Sequence, residues 1–487
     1  MLPPRVLRWL WISLGLHLLT AHFSRGYYHP DEHFQILEFL NYKLELSPAS
    51  DLPWEFSAHI RPWLQPALFT GLTRFWRALG ITSPIVWAEL FRILAGLLAW
   101  TSQFFLILRC KDWLQNDTRK LERVAMLFAL MWWIPFVHVR TSSESFSSSF
   151  FYLGLVALTA PSIRGAIAFW GGLALGLAFE CRFQTGFLIA GLATWLLFIK
   201  KISPKVIALS LGGFALAFAL GRWCDYWGYG GWTFSPWNYL HANIFENKAA
   251  QWGTDPWWGY LYLVGKLLPP LSVLALFSVF GFWWKAPRNP LTWATLPFFF
   301  IHCLVAHKEA RFLIPMFWAL PVMLEIAWGG GSRLNTLTKT HWGQSLIFLL
   351  ILINVGALGV LSLAPARTEF VYLEHIYKTY PEGLRVYWWE SDPSTLAGGL
   401  QVNFLKHPGS EATHLKGPEE FSQILAHSTE PVYFFHTQSD ILDLLPATGP
   451  RCERVFSSLS DFERRWLPAR TQKKMRIMNL FKCTPGA

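Results

Sequence analysis

Residues Ile85–Leu108 read IVWAELFRILAGLLAWTSQFFLIL, an apolar run in which Glu89 and Arg92 are the only ionisable side chains. An α-helix of about 20 apolar residues crosses the hydrocarbon core of a bilayer. Because backbone polar groups inside lipid must be paired within the protein, a continuous apolar segment of this kind crosses as a helix. The stretch therefore predicts a transmembrane helix and indicates the fold class of the whole chain.

The rest of the 487-residue chain has the same character. Hydrophobic residues make up 53% and charged residues only 15%, against about 45–50% and about 25% in ordinary globular chains. The mean hydropathy is +0.28, and Phe (40) and Trp (28) are abundant. This composition excludes a disordered chain, a nucleic-acid-binding tail protein and a typical cytosolic enzyme. It indicates a polytopic α-helical membrane protein.

We predict about eleven transmembrane helices from windows of sufficient length and apolarity. These windows are Trp9–Phe23, Ile85–Leu108, Val124–Val139, Ser145–Ala160, Gly165–Phe179, Phe183–Ile199, Val206–Gly221, Trp258–Trp284, Leu291–Ala306, Phe312–Trp328 and Gln344–Leu363. The segment Leu64–Gly80 carries Arg74 and Arg77, so it fits an interfacial helix better than a twelfth span. The first window is interpreted as an uncleaved helix, because no typical signal-peptidase site follows it.

Basic residues occur in short loops that all fall on one side of the membrane when eleven spans are counted. Examples are Arg5, Lys111, Lys200, Lys285 and Lys339. Short loops rich in Lys and Arg remain in the cytosol, so the formal net charge of +11 is interpreted as a signal of topology. The non-cytosolic side then receives residues 25–63, 222–257, 307–311 and the whole tail.

The composition changes after residue 364. Residues 1–364 are predicted to form a multi-spanning membrane domain, and residues 365–487 a small, non-cytosolic, soluble α/β domain. Strand-like runs occur there at Leu384–Trp389 and Pro431–Phe435. The six cysteines include no C-x-x-C pair, which leaves a zinc ribbon or a thioredoxin-like site unsupported. Cys452 and Cys483 both lie in the tail, and the sequence is compatible either with a disulfide between them or with two free thiols.

The first external segment contains the sequence HPDEHFQ at His29–Gln35. Its proline suits the first position of a helix, which would place Asp31 and Glu32 in the first turn. Two adjacent carboxylates at the membrane surface can include a general base. The alternative is that they only complement the helix dipole. A metal site using the two histidines and Asp31 is a further alternative, but alternate residues of a helix do not share a face.

The first external segment ends near Arg61, whose guanidinium either holds a phosphate or is an ordinary interfacial arginine. The next external segment combines Asp225 and Asp255 with many aromatic residues, among them Trp232 and Trp257. An aromatic belt is expected at a membrane interface. A belt does not need acids, however, whereas stacked aromatic rings with carboxylates make a sugar-binding surface.

A third polar segment, His307-Lys308-Glu309-Ala310-Arg311, lies between two apolar windows. Ionisable groups at the edge of a bilayer are costly unless they are paired or used. The segment is therefore either an internal ion-pair cluster or an anion site for a lipid-linked phosphate.

Together these segments resemble the dolichyl-phosphate-mannose-dependent mannosyltransferases, which include the GPI-anchor mannosyltransferases and the enzymes that extend the lipid-linked oligosaccharide. The resemblance is closest to the GPI third-mannose branch. One departure is Asp255, which stands where a histidine is usual and bears on the acceptor. Four motifs carry the resemblance, in family order: His29–Gln35, Asp225 with Tyr229–Trp232, Trp252–Trp257 and His307–Leu313.

The resemblance implies a GT-C fold with a non-cytosolic active site. It implies inverting transfer of mannose from a polyprenyl (dolichyl) phosphate to a lipid-linked glycan such as a GPI-precursor-like glycolipid. No cofactor and no metal are expected, because the sugar already carries its leaving group. Asp31 is expected to be the base and Glu32 to support it. The expected donor-phosphate ligands are Arg61, His307, Lys308 and Arg311. The expected acceptor-binding or loop-structuring residues are His29, Gln35, Asp225, Trp232, Asp255, Trp257 and Glu309.

The expected location is the endoplasmic reticulum membrane in a eukaryote or the inner membrane in a bacterium. The expected partners are the lipid-phosphate mannose, the lipid-linked acceptor and membrane lipid, with no nucleic acid. An alternative function is a multi-pass lipid or glycolipid transporter or flippase, which would need charged residues along a midplane path. The strongest motifs lie instead at span ends on one side. A non-catalytic membrane scaffold is a third hypothesis.

Overall fold

The structure is a computed structural model that describes residues 2–329, 339–396, 399–437, 451–459, 465 and 476–484. The chain divides into two compact units. The first unit comprises Met1–Phe23, Trp54–Leu72 and Leu90–Leu363. The second comprises Ser24–Pro53, Thr73–Glu89 and Ala364–Ala487.

Most of the described chain is helical. The α-helices are α1 Pro4–Phe23, α2 Pro30–Glu32, α3 Glu38–Lys43, α4 Trp54–Ser57, α5 Leu64–Ala78, α6 Pro84–Trp113, α7 Thr118–Leu130, α8 Ile134–His138, α9 Ser143–Thr159, α10 Gly165–Cys181, α11 Gly186–Trp195, α12 Pro204–Tyr229, α13 Ser235–Leu240, α14 Gly259–Gly265, α15 Leu271–Lys285, α16 Pro290–Leu304, α17 Ile314–Phe317, α18 Leu320–Trp328, α19 His341–Leu363, α20 Thr368–Thr379 and α21 Pro418–His427. Wider π-turns occur at His33–Leu37, Leu196–Lys200 and His241–Phe245. Short 3₁₀ turns occur at Ala49–Asp51, Phe183–Thr185, Lys248–Trp252 and Ala310–Leu313.

Four helical segments among the described residues are long and apolar enough to cross a membrane. They are Pro84–Trp113, Phe183–Lys200, Pro204–Tyr229 and His341–Thr379. A fifth is obtained if the pair Ala310–Phe317 and Leu320–Trp328, bent by 66°, counts as one span. Helices α10, α15 and α16 are apolar but shorter. The chain therefore has the helices of a membrane protein, and the count of about eleven spans stays a prediction.

Proline lies at the breaks in three of the windows that the sequence predicted as continuous helices. The window Trp258–Trp284 divides into α14 and α15, with Pro269 and Pro270 between them. The window Val124–Val139 divides into α7 and α8, and Pro135 lies in the first turn of α8. The window Phe312–Trp328 divides into α17 and α18, which carry Pro315 and Pro321 in their first turns. Proline has no N–H to donate and its ring clashes with the preceding turn, so a helix restarts at these positions rather than continuing.

Glycine allows helices α9, α10 and α12 to pack closely in the first unit. A Cβ at Gly172 or Gly213 would overlap the backbone of the facing helix, at Ser210 and Phe169 respectively. Small residues of this kind let helix backbones approach in a bilayer, where lipid tails remove any hydrophobic drive to associate. This tight packing fixes the ends of α10 and α12, which carry the buried charges described below.

The second unit contains a five-stranded mixed sheet with the strand order β4-β1-β5-β7-β6. β1 is parallel to β4 and to β5, whereas β7 is antiparallel to β5 and β6. Phe421 and Leu425 of α21 pack against Phe434 and Phe481 of the sheet. The strands are β1 Arg385–Trp388, β2 Thr395–Leu396, β3 Leu400–Gln401, β4 Glu411–His414, β5 Val432–His436, β6 Arg451–Ser457 and β7 Asn479–Thr484. Strands β1 and β5 confirm the two strand-like runs predicted from the sequence.

A disulfide joins Cys452 of β6 to Cys483 of β7, which lie directly opposite each other in the sheet. The structure thus favours the disulfide over the two free thiols that the sequence left open. The free cysteines of the described residues are Cys110, Cys181, Cys224 and Cys303.

Residues 25–53 and the tail fold together within the second unit. The Arg25 guanidinium lies 2.7 Å from the Glu374 carboxylate, and the Arg25 carbonyl accepts the N–H of Ala366 at 2.7 Å. The Arg367 guanidinium lies over the Tyr27 ring, 5.0 Å from its centroid. The segment that carries the HPDEHFQ motif is therefore held by residues more than 300 positions later in the chain.

Candidate active site

The HPDEHFQ motif begins with a single helical turn, α2, as the proline predicted. His29 is the N-cap, and its Nδ1 accepts the backbone N–H of Asp31 at 3.3 Å. The same nitrogen lies 3.4 Å from the Asp31 carboxylate. Asp31 keeps 26% of its side chain exposed, whereas Glu32 is 3% exposed and accepts the N–H of Tyr28 at 3.0 Å. Asp31 is thus partly exposed, whereas Glu32 is buried and bonded within its own turn.

The chain continues from this turn into the π-turn His33–Leu37. His33 is buried, and its Nε2 lies 2.8 Å from the Glu38 carboxylate. Gln35 is buried as well. His33 is thus paired with Glu38, and within the described residues no three His, Cys, Asp or Glu side chains cluster as metal ligands. The independence from metal stays a prediction.

Tyr27 lies just before the motif and packs edge-on against Phe370 of the tail, with ring centroids 5.2 Å apart. Burial raises the pKa of Tyr27 to about 12, and the nearby positive charge of Arg367 partly opposes this shift. The phenol therefore stays protonated at any physiological pH, and it acts here as a packing group rather than as an acid or base.

Asp225 lies at the C-terminal end of α12 and is completely buried. Its Oδ1 accepts the backbone N–H of Trp63 at 2.8 Å. Its Oδ2 accepts from Arg222 Nη1 at 2.6 Å and from the Ser235 hydroxyl. Arg222 also donates to the buried Glu180 at 2.7 Å. These hydrogen bonds connect the segment before α5 to the end of α12, so Asp225 holds the two segments together.

Hydrogen bonds to its backbone hold Arg61 in place, and its side chain remains partly exposed. The Tyr229 hydroxyl accepts the N–H of Arg61 at 3.1 Å and donates to its carbonyl at 2.8 Å. The guanidinium lies 3.3 Å from Glu55. Tyr229 and Asp225, one turn apart on α12, therefore fix the backbone on both sides of Pro62.

The fourth motif forms a buried ion-pair network in the first unit. Arg311 binds Glu309 through Nε and Nη2, at 2.6 and 3.1 Å, and contacts Glu144 through Nη1 at 3.2 Å. Arg182 contacts the same oxygen of Glu144 at 3.0 Å. His307 lies 3.1 Å from Glu309. Arg311, Arg182 and Glu144 are each less than 9% exposed, whereas the side chains of His307 and Glu309 are 18% and 24% exposed.

Lys308 is buried beside this network and points toward backbone oxygens. Its ammonium donates to the carbonyl of Val305 at 2.6 Å and to that of Asp255 at 3.2 Å. Asp255 in turn donates its N–H to the carbonyl of Ala306 at 2.9 Å. Lys308 and Asp255 thus join the third and fourth motifs through main-chain hydrogen bonds.

The aromatic residues of the segment 222–257 are largely exposed. Trp232 is 73% exposed and Trp257 is 66% exposed. The rings of Trp232 and Tyr226 lie 4.7 Å apart, which makes a small aromatic platform. These side chains are available to a sugar ring or to the membrane interface.

The sequence placed Asp31, Glu32, His29 and Gln35 in one motif, and the structure places all four in the second unit. It places the other predicted site residues in the first unit. Arg182 and Glu144 lie between closely spaced apolar windows, which from the sequence alone is only weak evidence for a site, yet both are central to the network around Arg311. The signal that pointed to them was an ionisable residue inside an otherwise apolar region, which is costly unless paired.

The fold is shared with a solved membrane protein. The crystal structure of ArnT from Cupriavidus metallidurans in the apo state matches with a TM-score of 0.53 at 12% identity, covering 98% of this chain and 97% of that chain. The crystal structure of ArnT bound to undecaprenyl phosphate matches with a TM-score of 0.52 over the same shares. At this identity the likeness concerns the fold alone. It supports the GT-C type of membrane fold that the sequence resemblance implied.

The chain belongs to the Alg9-like mannosyltransferase family, whose profile matches residues 8–380. Consistent with that, its curated relatives are named mannosyltransferases. Mannosyltransferase APTG1 of Arabidopsis thaliana is 25% identical over 73% of this chain and 67% of its own length. GPI mannosyltransferase 3 of Yarrowia lipolytica is 26% identical over 75% and 69%. GPI alpha-1,2-mannosyltransferase 3 of Mus musculus is 24% identical over 76% and 66%.

The chain spans about two thirds of the length of these relatives. Family membership makes the protein a glycosyltransferase of the mannosyltransferase class. The comparisons do not favour the transporter hypothesis.

Proposed function

We propose that the protein transfers mannose, with inversion, from a polyprenyl or dolichyl phosphate to a lipid-linked glycan of the GPI-precursor type. Two comparisons support this proposal. The relatives from Yarrowia lipolytica and Mus musculus are named as GPI mannosyltransferases. ArnT, which shares the fold, has been crystallised with undecaprenyl phosphate.

The observation that carries the proposal is the difference between two neighbouring carboxylates. Glu32 is buried and bonded within its own turn, whereas Asp31 is partly exposed beside His29. A general base must reach the proton that it removes. Of the pair, Asp31 has that access, and Glu32 holds the turn in shape.

The reaction follows from these roles. Asp31 takes the proton of the acceptor hydroxyl as its oxygen attacks the anomeric carbon of mannose. The bond from that carbon to the phosphate oxygen breaks, the electron pair leaves with the polyprenyl phosphate, and the configuration inverts. Cationic groups stabilise the charge that grows on the departing phosphate.

We assign the donor phosphate to the network around Arg311. Two guanidinium groups, those of Arg182 and Arg311, share the buried Glu144, and Arg311 also binds Glu309. The buried Lys308 ammonium nearby donates to backbone carbonyls. Ionic interactions are stronger where water is excluded. Glu309 is the more exposed of the two carboxylates, so a phosphate that exchanges with it reaches Arg311 first. Arg61 and His307 are further candidates for this phosphate.

We assign the acceptor to the exposed aromatic residues of the second external segment, including Trp232 and Trp257. We propose about eleven spans, with these segments and the tail on the non-cytosolic face, in the endoplasmic reticulum membrane if the host is a eukaryote. The disulfide Cys452–Cys483 supports that placement of the tail, because disulfides persist in oxidising compartments.

The test is Asp31→Asn in full-length protein supplied with labelled polyprenyl-phosphate mannose and membranes that contain GPI precursors. We expect transfer to fall by about 10²–10⁴-fold, the usual contribution of a general base. Asp112→Asn is the matched control, because Asp112 is a half-exposed aspartate paired with Arg109 outside the motifs. A folded Asp31→Asn protein with normal transfer would remove Asp31 from the mechanism.

A further inference from the structure

Glu38 is a buried carboxylate on which three hydrogen bonds converge. Its Oε1 accepts from the His33 ring at 2.8 Å and from the backbone N–H groups of Asn403 and Phe404 at 2.8 and 3.0 Å. Only 1% of Glu38 is exposed. Hydrogen bonds to an ionised acceptor are about twice as strong as neutral ones. A single oxygen atom thus joins the motif segment to the tail, all within the second unit.

The π-turn is what allows His33 and Glu38 to meet. In a regular α-helix, side chains five residues apart point about 140° away from each other. The wider turn over His33–Leu37 instead closes a backbone bond from the Glu38 N–H to the His33 carbonyl, and the two side chains bond as well. Turns of this kind are uncommon and occur frequently at functional sites.

His33 is in turn bonded to the helical turn that carries Asp31. As the C-cap of α2, its N–H donates to the carbonyl of Pro30. Any displacement of His33 therefore moves the backbone on both sides of Asp31. The chain of contacts runs from the tail backbone through Glu38 and His33 to the proposed base.

The tail surrounds this chain of contacts with further packing. The Asn403 side chain donates to Asp51 at 2.9 Å. The Phe370 ring lies 5.2 Å from the His33 ring, and the buried Phe404 ring lies 6.3 Å from it. These contacts place the 403–404 backbone opposite Glu38.

We propose that Glu38 is a positioning residue through which the C-terminal segment sets the orientation of Asp31. The inference rests on the proposed role of Asp31 as the base. In this arrangement the tail takes part in catalysis without touching the sugar. Its contribution is geometric, because a base displaced by about 1 Å can lose 10²-fold in rate.

The test compares Glu38→Gln and Glu38→Ala in the full-length protein, with Glu411→Gln as the matched control. Glu411 pairs with Arg385 on the exposed face of the tail sheet, where both side chains are more than half exposed. Glutamine keeps the accepting oxygen, so we expect kcat to fall by about 10-fold for Gln and about 10²-fold for Ala. The KM for labelled polyprenyl-phosphate mannose should change by less than about 3-fold, because the residues assigned to the phosphate belong to the first unit.

Hydrogen exchange gives a readout that does not depend on activity. In both Glu38 variants, peptides covering residues 28–34 and 402–405 should exchange faster than in the wild type, with the Ala variant showing the larger increase. The Glu411→Gln control should leave both peptides unchanged. An unchanged kcat in Glu38→Ala overturns the proposal. So does a fall in activity that only matches a loss of folded protein, or unaltered exchange over residues 28–34.

Asp31→Asn in the same panel separates this inference from the proposed function. If Asp31→Asn abolishes transfer while Glu38→Ala does not reduce it, Asp31 keeps its proposed role as the base and the positioning role of Glu38 is refuted. If folded Asp31→Asn transfers normally, the proposed base fails, and the positioning role fails with it.

Discussion

Replacing Gly228 by alanine would put a methyl group where the indole ring of Trp63 lies. Gly228 is in α12, and a Cβ built there overlaps the atoms of that ring. Trp63 is completely buried and is enclosed by the rings of Phe56, Trp227 and Tyr229. The ring therefore has no free space to enter, and the segment that precedes α5 must shift.

The expected cost can be estimated by comparison with a second glycine of the same helix. Overpacking a filled core costs about 1–3 kcal/mol. Exchanging glycine for alanine inside a helix gains about 1 kcal/mol. Gly212 has no atom within 4 Å of its Cβ position, so Gly212→Ala keeps this gain without the clash. The two variants should thus differ in the free energy of unfolding by about 1–3 kcal/mol.

The assay is thermal unfolding of both variants in one detergent at one scan rate, because unfolding of such proteins is often irreversible. Gly212→Ala should unfold at or above the wild-type temperature, and Gly228→Ala below that of Gly212→Ala. Mannosyl transfer should fall in Gly228→Ala, because the displaced segment carries Arg61. Adding Trp63→Phe should restore part of both losses. Equal unfolding temperatures for the two glycine variants would refute the reasoning.

Two further predictions concern buried charge and the disulfide. Glu144→Gln should destabilise the protein by about 3–5 kcal/mol, because it removes the carboxylate that two buried guanidinium groups share. The control is Glu122→Gln, which should cost less than about 1 kcal/mol because Glu122 pairs with the exposed Arg5. Similar melting temperatures for the two variants would contradict this prediction. Cys452→Ser removes a cross-link between cysteines 31 positions apart and should lower the free energy of unfolding by about 3–4 kcal/mol. A reductant should lower the stability of the wild type by a similar amount and should leave the stability of the variant unchanged.

The fold class and the motif positions were predictable because they depend on local signals. Apolar length identified the membrane character, and the proline of the HPDEHFQ motif predicted the helical turn at α2. The breaks at Pro135 and Pro315 were less evident, because prolines occur in continuous membrane helices when neighbouring groups pair the freed carbonyls. Which outcome applies depends on packing that a single sequence does not contain.

The charge network was only partly predictable. The sequence showed that Arg311 and Glu309 must pair or bind an anion, and the pairing within the motif follows from their spacing. The contact with Glu144 joins residues 167 positions apart. Nothing local indicates that partner, so the sequence could mark Glu144 and Arg182 only as isolated costly charges.

The junction between the motif segment and the tail was not predictable at all. Its key donors are backbone N–H groups at Asn403 and Phe404, and every residue except proline has such a group. The side chain of Glu38 gave no sign of its role either, because a glutamate next to an apolar run is ordinary. Here the three-dimensional arrangement carries the information.

The junction at Glu38 joins positions 365 residues apart, and this separation has a consequence for biosynthesis. The ribosome synthesises Glu38 long before it synthesises Asn403 and Phe404. A nascent chain that ends before Asn403 contains the early helices but still lacks the two backbone N–H groups that bond Glu38. If Glu38 orients Asp31 as proposed, we expect full mannosyl transfer only after residues 403 and 404 have been made and have bonded to Glu38.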